Sequence, residues 1–304
     1  MKKYMVGPWL VTLAALLWAI DAPFRKYLTT DLSSTTIVLM EHIVIVILAL
    51  PLMAMHVYEL KNLAWKEWLA VAFVGFGGSA LATVFFTQSF HYLNPTVAIL
   101  LQKLQPLIAI SLAAWVLKET LSKKFWFWAI IALIGAYIIS FPDFKPEGFT
   151  WNNNMLGVIL AVAAAFLWGG STVFGRFVLR KSSFQLMTAL RFFSALLFLI
   201  LINIYYGTLN QVSTATGKDW LFVLIIAVIA GFVSLMIYYY GLQSTKASIA
   251  TLCELAFPFA AVIVNWIFLD AALSLMQIFG GLVLLFAITK LTLVNQEQPN
   301  VEGI

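Results

Sequence analysis

At 304 residues, 62% of them hydrophobic and 10% charged, with a mean hydropathy of +0.96, the chain does not describe a water-soluble domain. Its 18 Lys and Arg and 13 Asp and Glu cannot cover so much apolar side chain, so lipid has to be the main solvent. The net charge of +5 then reads as membrane topology and not as nucleic-acid affinity, and a single cysteine, Cys253, excludes a disulfide framework or a thiolate metal cluster within one chain.

A helix needs about 20 apolar residues to cross about 30 Å of hydrocarbon, whereas a barrel strand needs about 10 of alternating polarity. The apolar runs here are continuous and predict ten helices, at 8–28, 35–56, 68–90, 95–117, 125–142, 155–178, 184–206, 219–241, 248–269 and 275–294. The first begins directly after Met1-Lys2-Lys3-Tyr4 with no small-residue cleavage site, so it reads as a membrane helix and not as a removed signal. The breaks between the third and fourth spans and between the eighth and ninth rest on residues 91–95 and 243–246.

Short loops rich in Lys and Arg stay in the cytoplasm. With the N-terminus inside, Lys2, Lys3, Lys61, Lys66, Lys118, Lys123, Lys124, Arg176, Arg180, Lys181, Lys246 and Lys290 fall on the inner side, against Arg25, Lys26, Lys145 and Lys218 on the outer. Lys103 and Arg191 fall within the membrane. The expected placement is a multi-pass protein of the inner (plasma) membrane with both termini cytoplasmic. Trp65, Trp68, Trp126, Trp128, Trp151 and Trp220 stand at predicted helix ends, where an amphipathic ring prefers the headgroups.

The two halves match each other. LWAIDAPF at 17–24 aligns with LWGGSTVF at 167–174, an offset of 150. Met40-Glu41-His42 falls on Leu190-Arg191-Phe192 at the same offset. Lys66-Glu67-Trp68-Leu69 falls on Lys218-Asp219-Trp220-Leu221 at 152, as do Pro106 on Pro258 and Leu121-Ser122 on Leu273-Ser274. Five helices per copy is an odd number, so the second copy enters the membrane from the other side. The expected fold class is an all-α integral membrane protein of ten transmembrane helices in two inverted five-helix repeats, 1–145 and 146–304.

These residues resemble the drug/metabolite transporter superfamily, in its ten-helix EamA-type branch. The carriers of the resemblance are Leu17-Trp18-Ala19 and Leu167-Trp168-Gly169, the ALRFFSALLFL run at 189–199, and QPLIAISLAAWVLKETLS at 105–122. Two departures stand out: Glu41-His42 where the first repeat would show Arg, and FLDAALS at 268–274, which lacks the loop carboxylate that Glu119 supplies in the first repeat. The resemblance implies a central cavity between the repeats, with the fifth and tenth helices at its back.

Ionisable groups at membrane depth are costly unless they are paired or face water, so each is a functional candidate. The set is Glu41 and His42 on the second span, Gln102 and Lys103 with Gln105 on the fourth, Arg191 on the seventh and Glu254 on the ninth. Mid-helix prolines sharpen it: Pro106 would free the carbonyl of Gln102, and Pro258 that of Glu254. Trp18 and Trp168 sit away from the interfacial belts and, with Tyr239 and its neighbours Tyr238 and Tyr240, offer rings and hydroxyls to a solute or to packing between the repeats. The substrate-binding candidates are thus Trp18, Glu41, His42, Gln102, Lys103, Trp168, Arg191, Tyr239 and Glu254.

Glu41, His42 and Glu254 are also candidates for proton coupling, set against a structural reading in which Glu41 or Glu254 neutralises Lys103 or Arg191. Asp21 and Arg25, spaced i,i+4, are expected to pair on the first helix. Gly75, Gly77, Gly78, Gly280 and Gly281 are expected to let helices approach closely. Three scattered histidines give no metal spacing, and no phosphate loop or nucleophile elbow is present, so no cofactor is expected.

The expected function is a secondary transporter of a small polar or amphipathic organic metabolite working by alternating access, with export and an amino acid or related solute implied by the resemblance. Its partners are the solute and the bilayer, and it would act as monomer or homodimer. An antiporter or importer of the same fold, exchanging nucleotide-sugar-like solutes, stays open. So does, more remotely, a membrane-embedded enzyme acting on lipid.

Overall fold

In a computed structural model, the residues described are 2–28, 31–89, 92, 101, 102, 104–140, 155–269 and 274–297. The first predicted span is two helices, α1 (Lys2–Trp18) and α2 (Asp21–Leu28). The second is α3 (Ser34–His56), closed by a 3₁₀ turn over Val57–Asn62. The third runs as α4 (Trp65–Ala72), a π-helical stretch (Phe73–Leu81) and α5 (Ala82–Ser89). The fourth is described from Gln105 as α6 (Gln105–Val116), followed by α7 (Lys123–Ser140). The second half repeats the order: α8 (Met155–Val178), α9 (Phe184–Tyr206) and a short α10 (Asn210–Thr214), then α11 (Gly217–Ile225), a π-helical stretch (Ile226–Val233) and α12 (Ser234–Leu242). The ninth span is α13 (Ala247–Cys253) and α14 (Ala256–Leu269), and the tenth is α15 (Leu275–Glu297).

Among the described residues, six helical stretches are long and apolar enough to cross a membrane: Val6–Arg25, Ser34–Asn62, Trp65–Phe86, Met155–Val178, Phe184–Tyr206 and Gly217–Leu242. The chain is an all-α membrane protein built from two inverted repeats, and local details recur across the offset. Ser33 and Ser183, 150 residues apart, each accept a backbone N–H three residues on, from Thr36 (3.3 Å) and from Leu186 (3.2 Å). Glu67 accepts the Ala64 N–H (3.0 Å), and Asp219, 152 residues later, accepts that of Thr216 (2.8 Å). The π stretches also stand at matching places. Such turns are rare, and each displaces the following residues around the helix.

Two spans predicted as single helices are broken, and proline explains both. Pro23 lacks an N–H and crowds the carbonyl four residues earlier, and the chain turns there: Ala19 and Ile20 donate back only three residues, to Leu16 and Leu17 (3.2 Å each). Pro258 stands four residues after Glu254, and the ninth span breaks at Glu254 and Leu255. The expected bare carbonyl does not survive at Glu254, because the N–H of Phe257 closes on it at 3.0 Å.

In lipid, helices associate through close packing and interhelical hydrogen bonds, not through the hydrophobic effect. α7 and α15 cross at glycines: a methyl group on Gly280 would lie 3.0 Å from the Gly135 carbonyl oxygen. Methyl groups on Gly75 and Gly78 would run into Ser194 and Ser171 of α9 and α8. α3 and α9 are stitched by Asn203, whose buried amide donates to the carbonyls of Thr35 (3.1 Å) and Leu199 (2.9 Å) and accepts from Thr36 (3.2 Å) and Thr208 (2.6 Å). An amide with nothing to bond in hydrocarbon costs several kcal/mol, so a site this well filled holds the two helices in register.

Candidate functional site

The break in the ninth span gathers polar side chains from three other helices. Glu254 stands in the turn after α13, so its carboxylate is not confined to one helix face. Oε1 accepts from the Tyr238 hydroxyl of α12 (2.8 Å) and from the Thr172 hydroxyl of α8 (3.1 Å), and Oε2 accepts from the Gln105 amide at the start of α6 (2.7 Å). Three neutral donors hold the carboxylate with no cation bonded to it among the described residues.

Tyr238 links this cluster to two others. Its ring lies 5.5 Å from that of Trp18, the last residue of α1 before the break, and the Trp18 indole N–H donates to the Ser234 hydroxyl at 3.0 Å. The ring of Tyr239 is 5.3 Å away, and the fully buried Tyr239 hydroxyl accepts from Arg191 Nη1 at 3.0 Å. Arg191 Nε donates to Ser79 at 2.6 Å. Ser79 lies in one π stretch and Ser234 directly follows the other, so both irregular turns deliver a hydroxyl to this junction.

An aromatic wall, a hydrogen-bonded carboxylate and an anchored guanidinium thus share one buried junction where interrupted helices meet. Irregular backbone is tolerated at this depth where it packs against protein or lines a solute cavity. No cluster of His, Cys, Asp or Glu suited to a metal ion occurs among the described residues.

Comparison with known proteins agrees with this architecture. The pattern of the EamA-like transporter family matches the chain twice, at residues 5–141 and 155–293. The chain belongs to the EamA-like transporter family. Over 307 aligned residues it is 31% identical to the riboflavin transporter ImpX of Fusobacterium nucleatum, covering 97% of this chain and 100% of that one. It is 26% identical to an uncharacterised transporter of Archaeoglobus fulgidus, over 94% of this chain and 97% of the relative. One solved crystal structure, 18% identical, superposes with a TM-score of 0.77 over 95% of this chain and 97% of its own, which speaks to the fold alone.

In this EamA-like chain Trp18, Arg191, Tyr239 and Glu254 come together as one network, while other sequence-derived candidates sit apart. Among the described residues Glu41 pairs with Arg25 and not with Arg191: Arg25 Nη2 lies 2.9 Å from its Oε1, and Arg25 Nε also donates to Asp21 at 2.8 Å, the expected i,i+4 pair. His42 turns its Nδ1 to the Val38 carbonyl (2.8 Å) and its ring edge to Phe192 (5.5 Å). A carbonyl only accepts, so Nδ1 carries a proton, and the buried Nε2 has no hydrogen-bond partner among the described residues.

Trp168 stacks edge-on against Phe86 at 5.2 Å. Gln102 has a buried Oε1 with no hydrogen-bond partner among the described residues, and Lys103 lies outside them. Thr172, Ser79 and Ser234 were not among the sequence-derived candidates, and Tyr238 entered only as a neighbour of Tyr239. Thr172 is readable in hindsight, one turn after Trp168, but the serines are placed by π turns that leave no periodic signature.

Proposed function

We propose that this protein is a secondary carrier that moves a flat, polar aromatic solute of the flavin class across the membrane by alternating access between its two repeats. The observation that carries the reading is the junction of Trp18, Tyr238, Tyr239, Arg191 and Glu254. It offers ring faces for stacking beside donors and acceptors in fixed positions. The 31% identity to a protein named a riboflavin transporter, over 97% of this chain and 100% of that one, supports the same class.

An amino acid, the first expectation, fits less well. Its ammonium and carboxylate would each need a free countercharge. Glu254 is already engaged by Gln105, Thr172 and Tyr238, Arg191 by Ser79 and Tyr239, and Glu41 by Arg25. A neutral heterocycle requires no such exchange of partners. Of the three proton-coupling candidates we retain Glu254, because Glu41 is ion-paired with Arg25 while the donors on Glu254 are all uncharged. We place the face bearing Glu59, Glu119, Lys181 and Lys246 in the cytoplasm, by its excess of Lys and Arg. Two of the relatives are transporters by name, which favours a carrier over a lipid-acting enzyme.

Riboflavin loses fluorescence when it stacks on Trp or Tyr, so titrating purified protein into riboflavin tests the reading directly. A saturable quench is expected, and Trp18→Leu should weaken the apparent affinity about fivefold to tenfold, the worth of one aromatic pair. Quenching absent from the wild type, or identical in the variant, would contradict it.

A further inference from the structure

The duplication carries the same aromatic pairing twice. Trp18 with Tyr238 has its counterpart, at offsets of 150 and 152, in Trp168 with Phe86, and the ring centroids are 5.5 Å apart in the first pair and 5.2 Å in the second. His42 and Phe192, equivalent at 150, meet each other ring to ring at 5.5 Å, so the pseudo-two-fold axis relating the repeats passes between them. The two tryptophan pairs therefore stand on opposite sides of that axis.

The polar groups repeat only in part. Glu254 answers to Gln102, an uncharged residue that keeps a side-chain acceptor oxygen. The three donors that fill the Glu254 carboxylate, Gln105, Thr172 and Tyr238, answer to Phe257, Ala22 and Phe86, whose side chains have nothing to donate. The ring pair and the acceptor are thus duplicated, and the donors are not. In keeping with this, the Gln102 Oε1 is buried and has no hydrogen-bond partner among the described residues.

Packing sets Gln102 beside the second ring pair. Its chain neighbour Leu101 and Phe86 both pack against Ala161 of α8, seven residues before Trp168. A methyl group on Gly169, next to Trp168, would lie 3.0 Å from the carbonyl oxygen of Gln105, three residues beyond Gln102. The Gln105 amide in turn closes on Glu254 at 2.7 Å, so both copies reach one junction. A buried acceptor without a donor is costly, and the membrane core has no water to supply one. A bound solute is a donor that the chain itself need not provide.

We propose that Trp168, Phe86 and Gln102 form a second half-site of the carrier, in which the Gln102 oxygen selects solutes that present an uncharged ring N–H. The proposal rests on the flavin reading and sharpens it, because the oxidised flavin ring system carries a single N–H, between two carbonyls. A neutral amide oxygen accepts from such a group with no countercharge to supply.

Riboflavin and its N3-methyl derivative, in which that N–H becomes N–CH3, test this by fluorescence quenching with purified protein. The parent should bind riboflavin about tenfold more tightly than the methylated ring, as one hydrogen bond to a buried group implies. Gln102→Met keeps the length of the side chain but not the acceptor. It should bring riboflavin down to the level of the derivative and leave the affinity of the derivative itself unchanged, which separates the hydrogen bond from crowding by the added methyl group. Without solute, Gln102→Met should melt at the same temperature as the parent or higher, since an apolar group replaces an unmet buried acceptor. Equal affinity for the two flavins in the parent, a tenfold preference that persists in Gln102→Met, or a lower melting temperature would overturn the proposal and leave the flavin reading in place. Saturable quenching of neither compound would remove the flavin reading and the proposal with it.

Discussion

Replacing Glu254 with alanine should abolish solute exchange, by about 100-fold or more, in proteoliposomes containing well-folded protein. The carboxylate is the common acceptor for Gln105, Thr172 and Tyr238, which come from three helices and from both repeats. Each hydrogen bond to a charged group contributes about 1.5–3 kcal/mol, and its loss leaves a buried donor unmet. Alanine therefore frees the turn at the broken helix and unfastens α6 from α8 and α12 together.

Glu254→Gln separates structure from proton linkage. Gln keeps the shape and one acceptor oxygen but cannot exchange a proton, so the variant should hold its fold and retain partial counterflow while losing pH-driven uptake. Uptake that responds to a pH gradient as in the parent would remove Glu254 from the proton path.

Arg191→Lys should lower exchange about tenfold despite keeping the charge. The guanidinium donates through Nε to Ser79 and through Nη1 to Tyr239, two helices at fixed angles. A lysine ammonium is a point donor on a flexible stem and cannot hold both directions at once. Losing one charge-assisted bond costs about 1.5 kcal/mol or more, and the orphaned Tyr239 hydroxyl would drift from its place beside Tyr238. Because Ser79 lies on the π stretch, Ser79→Ala should reproduce much of the loss, and adding it to Arg191→Lys should cost little more. Full additivity of the two substitutions would show that Arg191 acts elsewhere.

Much of the fold was legible because lipid imposes strong rules. Apolar runs of about 20 residues placed the spans, and the 150 to 152 residue offset exposed the duplication before any coordinates. The breaks were half legible. Pro258 pointed to Glu254, but Pro23 carried the same signal for Ala19 and went unread. The π stretches at Phe73–Leu81 and Ile226–Val233 could not be seen, because a turn widened by one residue changes no composition and hardly disturbs an all-apolar pattern.

The site was legible as a set of residue types more than as a set of partners. Trp18, Arg191, Tyr239 and Glu254 were named because polar or bulky groups at depth demand a reason. Which donors satisfy Glu254 depends on a hydroxyl one turn from Trp168 and a glutamine at a helix start, both of which look ordinary in sequence. Glu41 shows the reverse: pairing across the bundle was one of two readings for it, and among the described residues it finds Arg25, sixteen residues earlier, because the break after Trp18 sets α2 where Arg25 reaches α3.

The central claim is that a solute held at the Trp18, Arg191 and Glu254 junction crosses as the two repeats alternate. Counterflow measures this most directly: proteoliposomes loaded with unlabelled riboflavin are diluted into a trace of labelled riboflavin with no ion gradient. Transient accumulation of label above equilibrium is expected, dependent on the internal load and lost in Glu254→Ala. Label that only equilibrates, or accumulates equally in empty and loaded vesicles, would contradict it.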